Sequence, residues 1–149
     1  MLKSPVNSRF NDRIRAGIKI TTIREKPWPV GKPIMLYNWS GRPYGSPQRD
    51  VCAVEVEHTQ PITITIPKFG SPHYSPRSIE DRPLWQCEGF DSQDDMDAWF
   101  RAVLKPETTT EMHLCRFKIM PDIVENAFKQ ASSKHWPEHI AKTILTAGA

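Results

Sequence analysis

The stretch FNDRIRAGIKITTIR, residues 10–24, decides how the chain is read. Asn7 or Ser8 can accept hydrogen bonds from the free N–H groups of a helix that starts just after them. Phe10 and Ile14 are four apart and share one face of that helix. Gly17 stands where a helix ends in a left-handed residue. The residues beyond it are rich in β-branched side chains and predict a strand running to Arg24. One phase of that strand holds Ile18, Ile20, Thr22 and Arg24; the other holds Lys19, Thr21 and Ile23. Thr22 and Arg24 therefore share a face, and a regular strand turns Lys19 away from them. Lys19 joins them only if it still belongs to the turn after Gly17 or if the strand carries a bulge.

Working outward, charge divides the chain. Residues 1–49 hold ten Lys/Arg and two Asp/Glu, whereas residues 50–112 hold five and twelve. The formal net charge of +3 hides this asymmetry. A basic N-terminal third suits an anionic partner such as RNA, DNA or a nucleotide, or else a solvated face balanced by the acidic middle. Cys52, Cys87 and Cys115 show no paired spacing, which argues against a disulfide framework and for a reducing, cytoplasmic setting. The N-terminus has no signal-peptide pattern, and no apolar run is long enough to span a bilayer, so a membrane partner is not expected.

Residues 33–39, PIMLYNW, read as a strand, and residues 40–49 as a polar loop carrying Arg42, Tyr44 and Arg49. An aromatic ring between basic side chains is what stacking on a base and pairing with phosphate require. Val51–Glu57 alternates as a half-buried strand, and Ile62, Ile64 and Ile66 mark another. The proline-rich residues 67–85 predict an extended surface excursion. Ser92 followed by Asp95 is a capping-box-like pair, and Met96, Trp99, Phe100, Val103 and Leu104 give one apolar face of a helix that stops before Pro106. Capping accounts for the acidic cluster there. Residues 112–119 predict a further strand, and residues beyond Pro121 a helical tail.

This order predicts an α+β domain over 1–120, a small mixed barrel or curved sheet with helices at its ends, followed by a helical extension over 121–149. His135, Glu138 and His139 form an H-x-x-E-H pattern, but Pro137 interrupts it, and no metal or other cofactor is expected. Lys19, Thr22 and Arg24 are the better candidates for chemistry. A threonine hydroxyl beside a lysine of lowered pKa is an activated nucleophile, and a nearby arginine helps lower that pKa. Glu88, just ahead of Gly89 and the capped helix, is either a general acid/base or an exposed loop acid.

Three segments together resemble the ASCH domain family of the PUA-like superfamily: G-x-K-x-x-T-I-R at Gly17–Arg24, W-P-V-G at Trp28–Gly31, and E-G-F-D-S at 88–92 ahead of the helix bearing Trp99–Phe100. The resemblance covers about residues 8–119. It implies a PUA-like β-barrel with a cleft facing RNA or a modified nucleoside. One bacterial branch of that family removes the acetyl group from N4-acetylcytidine with a catalytic Lys and Thr in a K-x-x-T-I-R motif and a Glu ahead of the second helix. Lys19, Thr22 and Glu88 match those positions, and Ile20 stands where that branch usually has Thr. The expected activity is amide hydrolysis on a modified nucleoside, with a non-catalytic RNA-binding module or a metal-independent ribonuclease as the alternatives. Arg24, Trp28, Tyr37, Arg42 and Tyr44 are the candidates for contact with the nucleoside or with single-stranded RNA.

Overall fold

The computed structural model describes residues 2–120, and the tail expected over 121–149, with His135, Glu138 and His139, lies outside them. The elements are strand β1 (Leu2–Pro5), a 3-10 turn (Ser8–Phe10), helix α1 (Asn11–Arg15), strands β2 (Thr21–Arg24), β3 (Pro33–Trp39), β4 (Gln48–Ile66), β5 (His73–Ser75), β6 (Ser78–Ile79) and β7 (Arg82–Pro83), helices α2 (Leu84–Glu88) and α3 (Gln93–Val103), and strand β8 (Thr108–Ile119). A mixed α+β architecture results, dominated by one sheet of order β1-β3-β4-β8-β2, with β5 on a second edge of β4. The pairing of β1 with β3 is parallel and the other ladders are antiparallel. Among the described residues no backbone ladder joins β1 to β2, so the ladders do not close into a ring.

The local sequence explains most of these elements. The Asn7 side chain accepts a hydrogen bond from the Arg9 N–H and starts the first turn. Phe10 and Ile14 are buried, as their spacing predicts. Gly17 has a φ of +72°, a conformation that L side chains avoid, and it ends the helix. Ser92 caps α3 by accepting from the Asp95 N–H, and Met96 and Phe100 bury the predicted face. Val103, placed on that face by its spacing, is instead exposed at the frayed end.

Three expectations are corrected. The two strands predicted over 51–57 and 62–66 are one strand, β4. Its first part, to Glu55, pairs with β3, and it pairs with β8 from Val54 to Ile66 across a bulge between Val56 and His58. Pro61, which lacks a backbone donor, is tolerated opposite His113 within this ladder. Residues 67–85 are not a featureless excursion: they hold β5, the β6–β7 hairpin and the start of α2. The strand expected from Ile18 begins only at Thr21, and Ile18 is exposed. β1 was not anticipated, because four residues with one buried side chain leave no periodicity to read. The core lies between the sheet and the helices, with Ile14, Leu36, Ile64, Leu84, Met96 and Leu114 fully enclosed. No helix among the described residues is long and apolar enough to cross a membrane.

Candidate active site

Lys19 belongs to the turn after Gly17, the first of the two arrangements that bring it to Thr22 and Arg24. The Arg13 carbonyl accepts from the backbone N–H groups of both Ile18 and Lys19, at 2.9 and 3.0 Å. Ile20 then donates to the Cys87 carbonyl at 2.9 Å. These bonds tie the turn to both α1 and α2 before β2 begins.

The Lys19 side chain runs inward and is buried. Its ammonium donates to the Thr21 carbonyl at 2.8 Å and to the Glu88 carbonyl at 2.6 Å. It lies 4.6 Å from the centre of the Phe10 ring, a cation–π contact. Gly89 makes room for it. A Cβ at position 89 would stand 2.9 Å from the Lys19 Cβ, and its φ of +88° also favours glycine. The glycine of the E-G-F-D segment is thus both the cap of α2 and the surface against which Lys19 lies.

Glu88 is the last residue of α2 and is buried, not an exposed loop acid. Its Oε2 accepts a 2.6 Å hydrogen bond from the Thr21 hydroxyl and lies 3.9 Å from the Lys19 Nζ. Burial disfavours the charged lysine more than Glu88 favours it, and Arg24 adds repulsion. The Lys19 pKa is consequently lowered from 10.5 to about 8. Arg24 donates from Nε to the Thr22 hydroxyl oxygen at 3.1 Å and from Nη2 to the Pro5 carbonyl at 2.8 Å. It therefore bridges β2 to β1, the two ends of the sheet order, by a side chain. Its guanidinium stacks on Trp28, 4.8 Å from the ring centre.

Lys19, Thr22, Arg24 and Glu88 line one cleft of about 560 Å³, counting its open mouth. Pro5, Val6 and Asn7 form one wall, and Phe10, Phe90, Trp99 and Phe100 form an aromatic wall. The latter rings pack edge-on or tilted, with Phe10 5.3 Å from Phe90 and 5.8 Å from Trp99. Arg9 sits over Phe10, Phe90 and Trp99 and pairs with Asp95. The cleft thus sets an aromatic wall beside a polar floor, the usual make-up of a small-molecule site.

The other candidates lie elsewhere. Trp28 is buried beneath Arg24 and packs on Phe117 at 6.1 Å, so it supports the cleft without lining it. Tyr37 is buried in β3 against Trp39, also away from the cleft. Arg42 and Tyr44 are on the exposed loop after β3. Two residues of the site escaped the sequence reading. Thr21 holds the Glu88 carboxylate, and its signal was its strand phase, which it shares with Lys19. Arg13 receives the Lys19 turn on its carbonyl and donates from Nη1 to the carbonyls of Gly89 and Phe90 at 2.9 and 2.6 Å. It also pairs with Asp91, so one residue, by its backbone carbonyl and its side chain, ties the turn of Lys19 to the segment after Glu88.

Among the described residues no cluster of three or more His, Cys, Asp or Glu is placed to hold a metal. Comparison of the chain with protein-family models, with curated proteins and with solved structures returns no match.

Proposed function

We propose that this chain hydrolyses an amide on a modified nucleoside of the N4-acetylcytidine type, in the cleft of a curled PUA-like sheet. One observation carries the reading: a buried lysine of lowered pKa and a buried carboxylate 3.9 Å apart share a cleft with a threonine hydroxyl. A buried lysine of lowered pKa facing a carboxylate in a cleft is typical of sites of acid–base chemistry. The resemblance of 17–24 and 88–92 to the ASCH family supports the same assignment, and so does an aromatic wall suited to a base.

Thr22 supplies the nucleophile. Its oxygen accepts from Arg24, so its own proton is free to leave toward a base. The neutral amine of Lys19 takes that proton as the Thr22 oxygen bonds to the acetyl carbon. Arg24 and the resulting ammonium stabilise the oxyanion that forms. The proton passes from Lys19 to Glu88 and on to the departing exocyclic amine as the C–N bond breaks. Water then hydrolyses the acetyl-threonine ester, releasing acetate and restoring the hydroxyl. The net reaction is amide plus water to amine plus acetate. Thr21 keeps one Glu88 oxygen fixed, which leaves the other free for the leaving group. Because Lys19 acts as the neutral amine, kcat/KM climbs as pH rises through about 8.

Incubation of the wild type, Lys19→Ala and Thr22→Ala with N4-acetylcytidine, followed by chromatography, tests this. Cytidine and acetate from the wild type alone are expected. No turnover by the wild type, or full turnover by Lys19→Ala, overturns the reading.

A further inference from the structure

A second concavity opens directly beside the cleft. It is lined by Val6, Asn7, Ser8, Asn38 and Trp39, and it shares Val6 and Asn7 with the cleft itself. Its lining is mostly polar: two amides, a hydroxyl and the edge of an indole. Asn38 is held in place there, accepting from the Asn11 amide at 2.6 Å and donating to the Val6 carbonyl at 2.8 Å.

The concavity ends at an aromatic pair. The Tyr44 ring lies 5.2 Å from that of Trp39, which rests edge-on against the buried Tyr37 at 5.4 Å. Tyr44 is 91% exposed, and its φ is +62°, a conformation that bulky residues seldom adopt. The loop around it is braced. Ser40 donates to the Pro47 carbonyl, Gly45 to the Arg42 carbonyl, and the Ser46 hydroxyl both donates to the Arg42 carbonyl and accepts from the Gly41 N–H. An exposed ring on a hydrogen-bonded loop at the end of a polar groove, with local backbone strain, suits binding better than packing. Arg42 and Arg49 flank it in sequence, Arg49 opposite Asn38 in the β3–β4 ladder, and neither makes an ion pair with a carboxylate among the described residues.

We propose that the groove running from the cleft past Asn7, Asn38 and Trp39 to Tyr44 binds single-stranded RNA, with a base flanking the reacting nucleotide stacked on the Trp39–Tyr44 pair. Stacking on an aromatic platform suits any base whose face is free, and unpaired arginines beside it suit the phosphates. Asn7, Ser8 and Asn38 offer donors and acceptors to base edges or to ribose hydroxyls. The substrate is then a nucleotide within a strand, and the groove sets its direction across the cleft. The identity of the reacting base rests on the function proposed above; the platform itself does not.

Fluorescence anisotropy with a short labelled oligocytidylate tests the platform without turnover. Tyr44→Ala is expected to weaken binding about tenfold, the loss of one stacked base. Arg42→Ala is expected to reduce the slope of log affinity against log salt by about one. An RNA duplex, whose base faces are covered, is expected to compete poorly. Tyr44 touches solvent on nearly all sides, so its replacement leaves the fold intact. Affinity unchanged in Tyr44→Ala, or equal affinity for the duplex, overturns the proposal. Turnover of free N4-acetylcytidine is read separately. Tyr44-dependent binding without turnover removes the reaction and keeps the platform; turnover with Tyr44-independent binding removes the platform alone.

Discussion

Two lysine–glutamate pairs in this protein have nearly the same separation and opposite chemistry. Lys118 on β8 and Glu55 on β4 lie 3.7 Å apart, with side chains 58% and 24% exposed. Lys19 and Glu88 lie 3.9 Å apart, each 5% exposed. Water screens the first pair, and the two charges gain little from each other. The second pair has lost its water, and the protein replaces that water with two carbonyls on Lys19 and the Thr21 hydroxyl on Glu88. Separation alone does not make a reactive pair. Burial lowers the lysine into a useful range, and fixed partners hold it there.

The largest effect expected from this contrast is on turnover. Lys19→Ala should reduce kcat by about a thousandfold or more, on the scale of a lost general base, while Lys118→Ala leaves it unchanged. A comparable loss in both would erase the distinction between the pairs.

Stability should follow pH in a way that only the buried pair produces. Lys19 is held at about 8 in the fold against 10.5 in the unfolded chain. Between those values the unfolded chain binds more protons, so stability rises with pH across that window. Below pH 8 the cost of burying the ammonium is fully present; above 10.5 it is gone. The gain is roughly 3 kcal/mol over the window by the pKa-to-energy conversion. Urea denaturation at several pH values should show this rise in the wild type and not in Lys19→Met.

Gly89→Ala sharpens the contrast from the backbone. It places a Cβ against Lys19 at a positive φ, and it should cost about 1–3 kcal/mol of stability. Gly70, also at positive φ, has nothing near its Cβ position, so Gly70→Ala should cost less, about 1 kcal/mol. Equal losses at the two glycines would show that contact with Lys19 contributes nothing. The smallest effect belongs to the exposed pair: a double-mutant cycle on Lys118 and Glu55 should return less than about 0.5 kcal/mol.

Much of the site was legible because its residues lie in two short segments. The helix face of Phe10 and Ile14, the stop at Gly17 and the cap at Ser92 are local signals, and each appears where its spacing places it. Lys19 and Thr22 needed one fact that strand periodicity leaves open, that Arg13 holds the turn back from the strand. The partners of Glu88 were not legible. Its hydrogen bond spans 67 residues of sequence and depends on how α2 meets β2. The continuity of β4 across Pro61 was hidden for a similar reason, since a proline reads as a break until its ladder partner is known. Trp28 and Tyr37 looked like ligand contacts because aromatics serve stacking and packing alike; here they pack.

The most direct test of the difference between the two pairs needs no substrate. Lysines labelled with carbon-13 at Cε are titrated by NMR in the wild type, with Lys19→Met to assign the signal. Lys19 is expected to titrate at about 8, well below the 10.5 of an unburied lysine. A Lys19 signal that titrates near 10.5 would contradict the effect assigned to burial.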